Sequence, residues 1–171
     1  MLTCALLVAQ VVLCFNAQPA EAFAGLYTAT AAAQVMKVIL TAGAYIVVVM
    51  AQSWIEREDV LRKEGEFYEL IISTLLGMYM MISSGHFLMF FLGLEMASVP
   101  MACLVAFDKY KKISAEGAAK FILTATFSSG VMLYGISFIY GACGTLYFDD
   151  MAAKISASPL TIMGLVFFFS G

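Results

Sequence analysis

Residues 67–107 contain only two charged side chains, Glu69 and Glu95, whereas the short stretch 56–66 contains eight. Charge gathered into islands between long apolar runs marks segments that cross a bilayer and loops that do not. The whole chain is 63% hydrophobic and 12% charged, with a mean hydropathy of +0.93, outside the usual composition of soluble domains. In lipid no backbone N–H or C=O can be left unpaired, so such runs form helices packed against one another. The predicted fold is all-α, a polytopic transmembrane helix bundle whose solvent is the lipid bilayer.

Six apolar segments occupy residues 2–15, 38–54, 67–83, 87–107, about 118–140 and 160–171. A span needs about 20 mostly apolar residues. The twelve residues of the last segment are too few, so the expectation is five spans plus a truncated sixth. Residues 1–37 are read as a first short span and an outer alanine-rich loop, and 38–171 as a bundle incomplete at its C-terminus. A secretory signal ending near Ala20-Glu21-Ala22 is the rival reading of the first segment, but no Lys or Arg precedes the apolar run and further spans follow.

Arg57, Arg62 and Lys63 lie between segments two and three, and Lys109, Lys111 and Lys112 between four and five; the alternate loops carry only Lys37 and Lys154. Two crossings separate the basic loops, so both lie on one side, which the positive-inside rule makes cytoplasmic. Both loops are taken as topology anchors. The net charge of −3 says little about partners, and no basic face interleaved with aromatics suggests nucleic acid.

Cys4, Cys14, Cys103 and Cys143 are too scattered for a ligand pair or a disulfide framework. No glycine-rich phosphate loop, dinucleotide fingerprint or iron–sulfur cysteine run is present. Any electron chemistry is therefore expected in another subunit. The many Met residues at helical spacing are read as adaptable packing.

Glu95 lies two residues from the centre of 87–107, about 3 Å along a helix axis. It cannot reach water by extending along the helix, and a charge at that depth costs roughly 2.5 to 3.5 kcal/mol on insertion scales. Its protonation would respond to a neighbouring charge. The alternative is a protonated Glu hydrogen-bonded to another helix, although intramembrane ionisable groups mark ion or proton paths by default. Pro100, five residues on, has no N–H for the carbonyl of Met96, which leaves an acceptor one residue beyond the carboxylate. An ordinary proline kink explains it equally well.

Lys120 is the second candidate, about 14 Å from the middle of its segment at helical rise, where it could extend to the interface. Lys120, Thr124 and Ser128 fall at i, i+4 and i+8, a polar stripe expected to face protein or water. The hydroxyls could equally be interhelical hydrogen-bonding groups. His86 opens segment four in Ser83-Ser84-Gly85-His86. An imidazole suits a proton relay, while a helix-end role is the simpler reading. Glu69 is explained by a favourable helix N-terminus.

Glu66-Phe67-Tyr68, Ser84-Gly85-His86 and Phe91-Leu92-Gly93-Leu94-Glu95-Met96-Ala97-Ser98-Val99-Pro100 resemble the antiporter-like subunit N of the bacterial respiratory NADH-quinone oxidoreductase, complex I. Ser114-Ala115-Glu116-Gly117-Ala118-Ala119-Lys120-Phe121 and Ser128-Ser129-Gly130 resemble its next helix. The likeness is strong from Glu66 to about Phe148 and weak before it. Sister subunits L and M typically carry Trp directly before the glutamate, where this chain has Leu94.

The resemblance implies that Glu95 and Lys120 belong to a membrane proton path. It also implies that NADH, FMN, iron–sulfur clusters and a quinone are handled by other subunits, and that the partners are other membrane subunits of complex I in a bacterial inner membrane. Family chains continue through a further helix with another buried lysine and a second, inverted set of helices. The chain is thus expected to be a fragment or truncated product, opening at the second family helix and inactive alone. A multisubunit cation/proton antiporter subunit and a non-catalytic scaffold stand as alternatives, separated respectively by co-purifying redox subunits and by the effect of Glu95→Gln.

Overall fold

The structure, a computed structural model, describes residues 2–16, 20–55, 64–108 and 111–171. Its helices are α1 (Leu2–Asn16), α2 (Ala31–Ile55), α3 (Glu64–Ile82), α4 (Phe87–Val105), α5 (Lys112–Cys143), α6 (Phe148–Lys154) and α7 (Pro159–Ser170). Each of the six apolar segments is helical, as the absence of water in a bilayer requires. By length and composition, α2, α4 and α5 can cross a membrane, and α1 and α7 are shorter apolar helices. Their apolar windows are only 17, 11 and 28% buried within the chain, so their remaining surface suits lipid or further protein.

Two small cores hold the bundle. Leu7, Val48, Ile71 and Leu75 join α1, α2 and α3, while Phe87, Met132, Ile136, Ile139 and Cys143, with Phe168 against them, join α4, α5 and α7. The two halves meet where α3 crosses α4 backbone to backbone: a methyl group on Gly77 would sit 2.5 Å from the Ala97 nitrogen. Gly135 and Gly164 make a similar crossing between α5 and α7. With no hydrophobic drive between helices in lipid, such small-residue crossings supply close packing instead.

The expected helical bundle is found, with one small hairpin added, in which β1 (Ala20–Ala22) pairs antiparallel with β2 (Tyr27–Ala29). Two expectations are corrected. First, α2 starts at Ala31, seven residues before the expected 38, since the Thr30 hydroxyl accepts the Ala33 N–H at 3.2 Å and three alanines follow, the best helix formers. Lys37 therefore lies inside a helix, not in a loop. Second, residues 148–154 form the short helix α6 within the loop expected between the fifth and sixth apolar segments.

The loops expected on the outer side do meet at one end. The Thr28 N–H donates to Ser83 (2.7 Å), Gly85 to Leu26 (2.9 Å), Phe87 to Leu146 (3.0 Å) and Phe148 to Gly85 (3.1 Å). At the opposite end Trp54, Phe67 and Phe107 cluster with ring centroids 5.5 to 6.0 Å apart, in the manner of an interfacial aromatic belt. Arg57, Arg62, Lys63 and Lys109 lie outside the described residues.

Candidate functional site

Glu95 sits one residue before the midpoint of α4 (Phe87–Val105), residue 96. Its depth follows from the apolar run around it, and its direction from the Gly77–Gly93 crossing. At 3.6 residues per turn, Glu95 is rotated about 200° from Gly93, so it points away from α3. It shares a face with Leu88, Leu92 and Val99, all exposed. Glu95 itself is half-buried, and among the described residues its carboxylate forms no ion pair or hydrogen bond. The Ser98 hydroxyl donates to the Glu95 backbone carbonyl at 3.3 Å. Pro100 lies within α4, and the Met96 carbonyl carbon that it affects packs toward α3, 2.7 Å from where a methyl on Gly77 would stand.

Lys120 is not brought to Glu95. Its ammonium pairs with Glu116 one turn earlier at 2.6 Å, and the two side chains are 74 and 66% exposed. Of the 120–124–128 stripe, expected to face protein or water, the first two residues are not covered by this chain: Thr124 is exposed and donates to the Lys120 carbonyl at 2.9 Å. Only Ser128 turns inward, donating to the Gly171 carbonyl. The physical reason is that α7 covers the second half of α5 and leaves its first half open.

His86 caps α4. Its Nδ1 accepts the Leu88 N–H at 3.1 Å, its ring meets Tyr147 edge-on at 4.6 Å, and it is 8% exposed. Burial pushes the imidazole below its ordinary value. A group that binds protons less readily when folded favours unfolding in acid. Its contribution is complete above the unfolded value of about 6.5 and is lost as pH falls below that and through the lower folded value. His86→Asn, which retains a capping acceptor without titrating, should therefore flatten the acid side of the thermal-stability profile in detergent. An unchanged profile would count against this.

Lys37 was missed because hydropathy alone placed it in a loop; the signal that locates it is the Thr30 cap before Ala31-Ala32-Ala33. It is 6% exposed, and its Nζ donates to the Tyr27 hydroxyl at 2.7 Å. Burial alone would push the Tyr27 hydroxyl up, but polar contacts with Lys37 and Ser83 and the Lys37 charge outweigh it and hold it below the usual tyrosine value.

The family model described as NADH:quinone oxidoreductase/Mrp antiporter, transmembrane, matches residues 84–171, which run from the turn before His86 through α7. The chain belongs to that family. It is 57% identical over 170 residues to NADH-quinone oxidoreductase subunit N of Phocaeicola vulgatus, covering 99% of this chain and 36% of that protein. To the subunit N of Azobacteroides pseudotrichonymphae it is 49% identical over 151 residues, covering 88% and 32%. The chain thus spans about a third of the length of the curated relatives it matches. Among solved structures, a chain of respiratory complex I from Thermus thermophilus with bound aureothin superposes with a TM-score of 0.82 at 26% identity, over 99% of this chain and 36% of that one. An archaeal membrane-bound sulfane sulfur reductase has the same fold, with a TM-score of 0.78 at 21% identity over 98% and 36%. Family membership agrees with the resemblance carried by Ser84-Gly85-His86 and by residues 91–100.

Proposed function

We propose that this chain provides part of a proton-translocating, non-redox membrane subunit of a respiratory NADH-quinone oxidoreductase. The observation that carries this is Glu95, a mid-span carboxylate on a helix face that the described residues leave uncovered. A carboxylate facing lipid at that depth is costly, so the face is covered in the assembled protein, by a partner subunit or by further helices of the same subunit. Lys120, exposed on the open half of α5, looks out of the bundle in the same way. The likeness to subunit N over nearly the whole chain supports assigning both residues to one proton path.

In this proposal NADH, FMN, iron–sulfur clusters and quinone belong to other subunits, and the complex sits in a bacterial inner membrane. The apolar helices α1 to α5 are the chain's membrane spans. Coupling is electrostatic: removal of a nearby positive charge favours the protonated form of Glu95, and its return releases the proton. Pro100, His86, Thr124 and Ser128 are accessory, setting helix shape and hydrogen bonding. A cation/proton antiporter subunit is the second reading, supported by the family description, which spans both types; co-purifying flavin and iron–sulfur subunits distinguish them.

The test is Glu95→Gln in the full-length subunit. Assembly should be retained, because Gln keeps the volume and a polar head, while proton translocation per electron pair measured in inverted vesicles should fall. Normal pumping by the assembled variant sinks the proposal.

A further inference from the structure

Lys37 is a buried cation that the Glu95–Lys120 path does not use. It lies in the second turn of α2, under the hairpin. No carboxylate pairs with it among the described residues, whose ion pairs are Lys111–Asp108 and Lys120–Glu116. Its surroundings are phenols and hydroxyls instead. The Nζ is 2.7 Å from the Tyr27 hydroxyl, and it stands 4.8 Å from the Tyr27 ring centroid and 5.9 Å from that of Tyr79. Thr41, fully buried, donates to the Lys37 carbonyl at 2.6 Å and shares a hydrogen bond with the Tyr79 hydroxyl. Ser83 is also fully buried, and its hydroxyl is in polar contact with that of Tyr27.

A pin holding the hairpin to α2 needs no charge. An apolar side chain packed on Tyr27 would do the same without the cost of desolvating an ammonium. Contact with two aromatic faces offsets part of that cost. Hydroxyls, by contrast, both donate and accept, so they can pass a proton on where an apolar wall cannot. Tyr27 is half-exposed on β2 at the end where the outer loops meet, so its hydroxyl joins the buried ammonium to the rim.

We propose that Lys37 is a proton-carrying site at the outer mouth of the bundle, handing its proton through the Tyr27 hydroxyl to water outside. This rests on the proton-translocating function proposed above. In the step, an Nζ–H bond breaks as its proton moves to the Tyr27 oxygen, and the proton already on that oxygen passes to a water at the rim. Nζ is left as a neutral amine, which takes a proton from water within the bundle. Tyr27 ends as it began, and one proton has moved outward.

The experiment compares Lys37→Arg, Tyr27→Phe and Glu95→Gln in the full-length subunit within its complex, reading protons moved per electron pair in inverted vesicles. Arginine keeps the charge, the donors and the aromatic contact but does not release its proton, so it rescues a pin and not a carrier. The expected result is that Lys37→Arg and Tyr27→Phe lower the proton yield as far as Glu95→Gln does. A Lys37→Arg complex with wild-type yield beside a defective Glu95→Gln overturns the carrier and leaves the proposed function standing. Normal yield in Glu95→Gln overturns the proposed function, and the carrier with it. Should Lys37→Arg fail to assemble, Tyr27→Phe decides alone: a lowered yield supports the carrier, and a wild-type yield overturns it.

Discussion

Gly93→Leu is expected to part α3 from α4 and to prevent the folded chain from accumulating in the membrane. A methyl group on Gly93 would sit 2.7 Å from the Met81 nitrogen and 2.8 Å from the Gly77 carbonyl oxygen. Both are backbone atoms, so no rotamer change relieves the clash. Overpacking that side chains can absorb costs about 1 to 3 kcal/mol. Here the helix axes themselves must separate, and the expected loss is about 3 kcal/mol or more, a large part of a typical stability of about 5 to 15 kcal/mol. Gly77→Leu should do the same from the other side. Gly43 in α2 is the control, because nothing lies within 4 Å of a methyl placed there. The measurement is the monodisperse fraction after mild detergent extraction; equal yields for Gly93→Leu and Gly43→Leu would refute the crossing.

The second large effect is expected from Gly85→Val, which acts on the loops and not on a helix pair. Gly85 donates its N–H to Leu26 and accepts from Phe148 at 2.9 and 3.1 Å, and a methyl group on it would strike the Gly25 carbonyl oxygen. The substitution should break both hydrogen bonds, each worth about 1 kcal/mol net, and add the clash. The total is about 3 kcal/mol, concentrated at one end of the molecule. Protease applied from the outer side should then cut residues 20–30 far faster than in the wild type. Protection equal to wild type would show that the hairpin is held by something other than this glycine.

Hydropathy makes the helices legible because a bilayer leaves the backbone no alternative, and a run such as Phe87-Leu88-Met89-Phe90-Phe91 admits one reading. What it cannot read is anything set by a partner. The three-residue strands Ala20–Ala22 and Tyr27–Ala29 are too short for an alternating pattern, and they are fixed by residues 83–85, far away in sequence. Lys37 marks the end of the apolar run but not the end of the helix, since Thr30 and the alanines extend α2 without raising its hydropathy. The depth of Glu95 could be counted along one helix, yet its facing depends on Gly77 in the neighbouring one. The stripe at Lys120, Thr124 and Ser128 was legible as a stripe; which side of α5 is covered depends on α7.

The hydrogen bonds that tie the outer loops together also impose an order on biosynthesis. Thr28 waits for Ser83, and Gly85 waits for Phe148. At about 5 to 20 residues per second, roughly 6 to 24 s separate the emergence of Thr28 from that of Phe148. Through that interval the hairpin strands have each other but not their final neighbours, so the lid is sealed only after five of the six apolar helices have been made. A nascent chain arrested before residue 148 should present this end unlatched, and the last latch closes as α6 is drawn through.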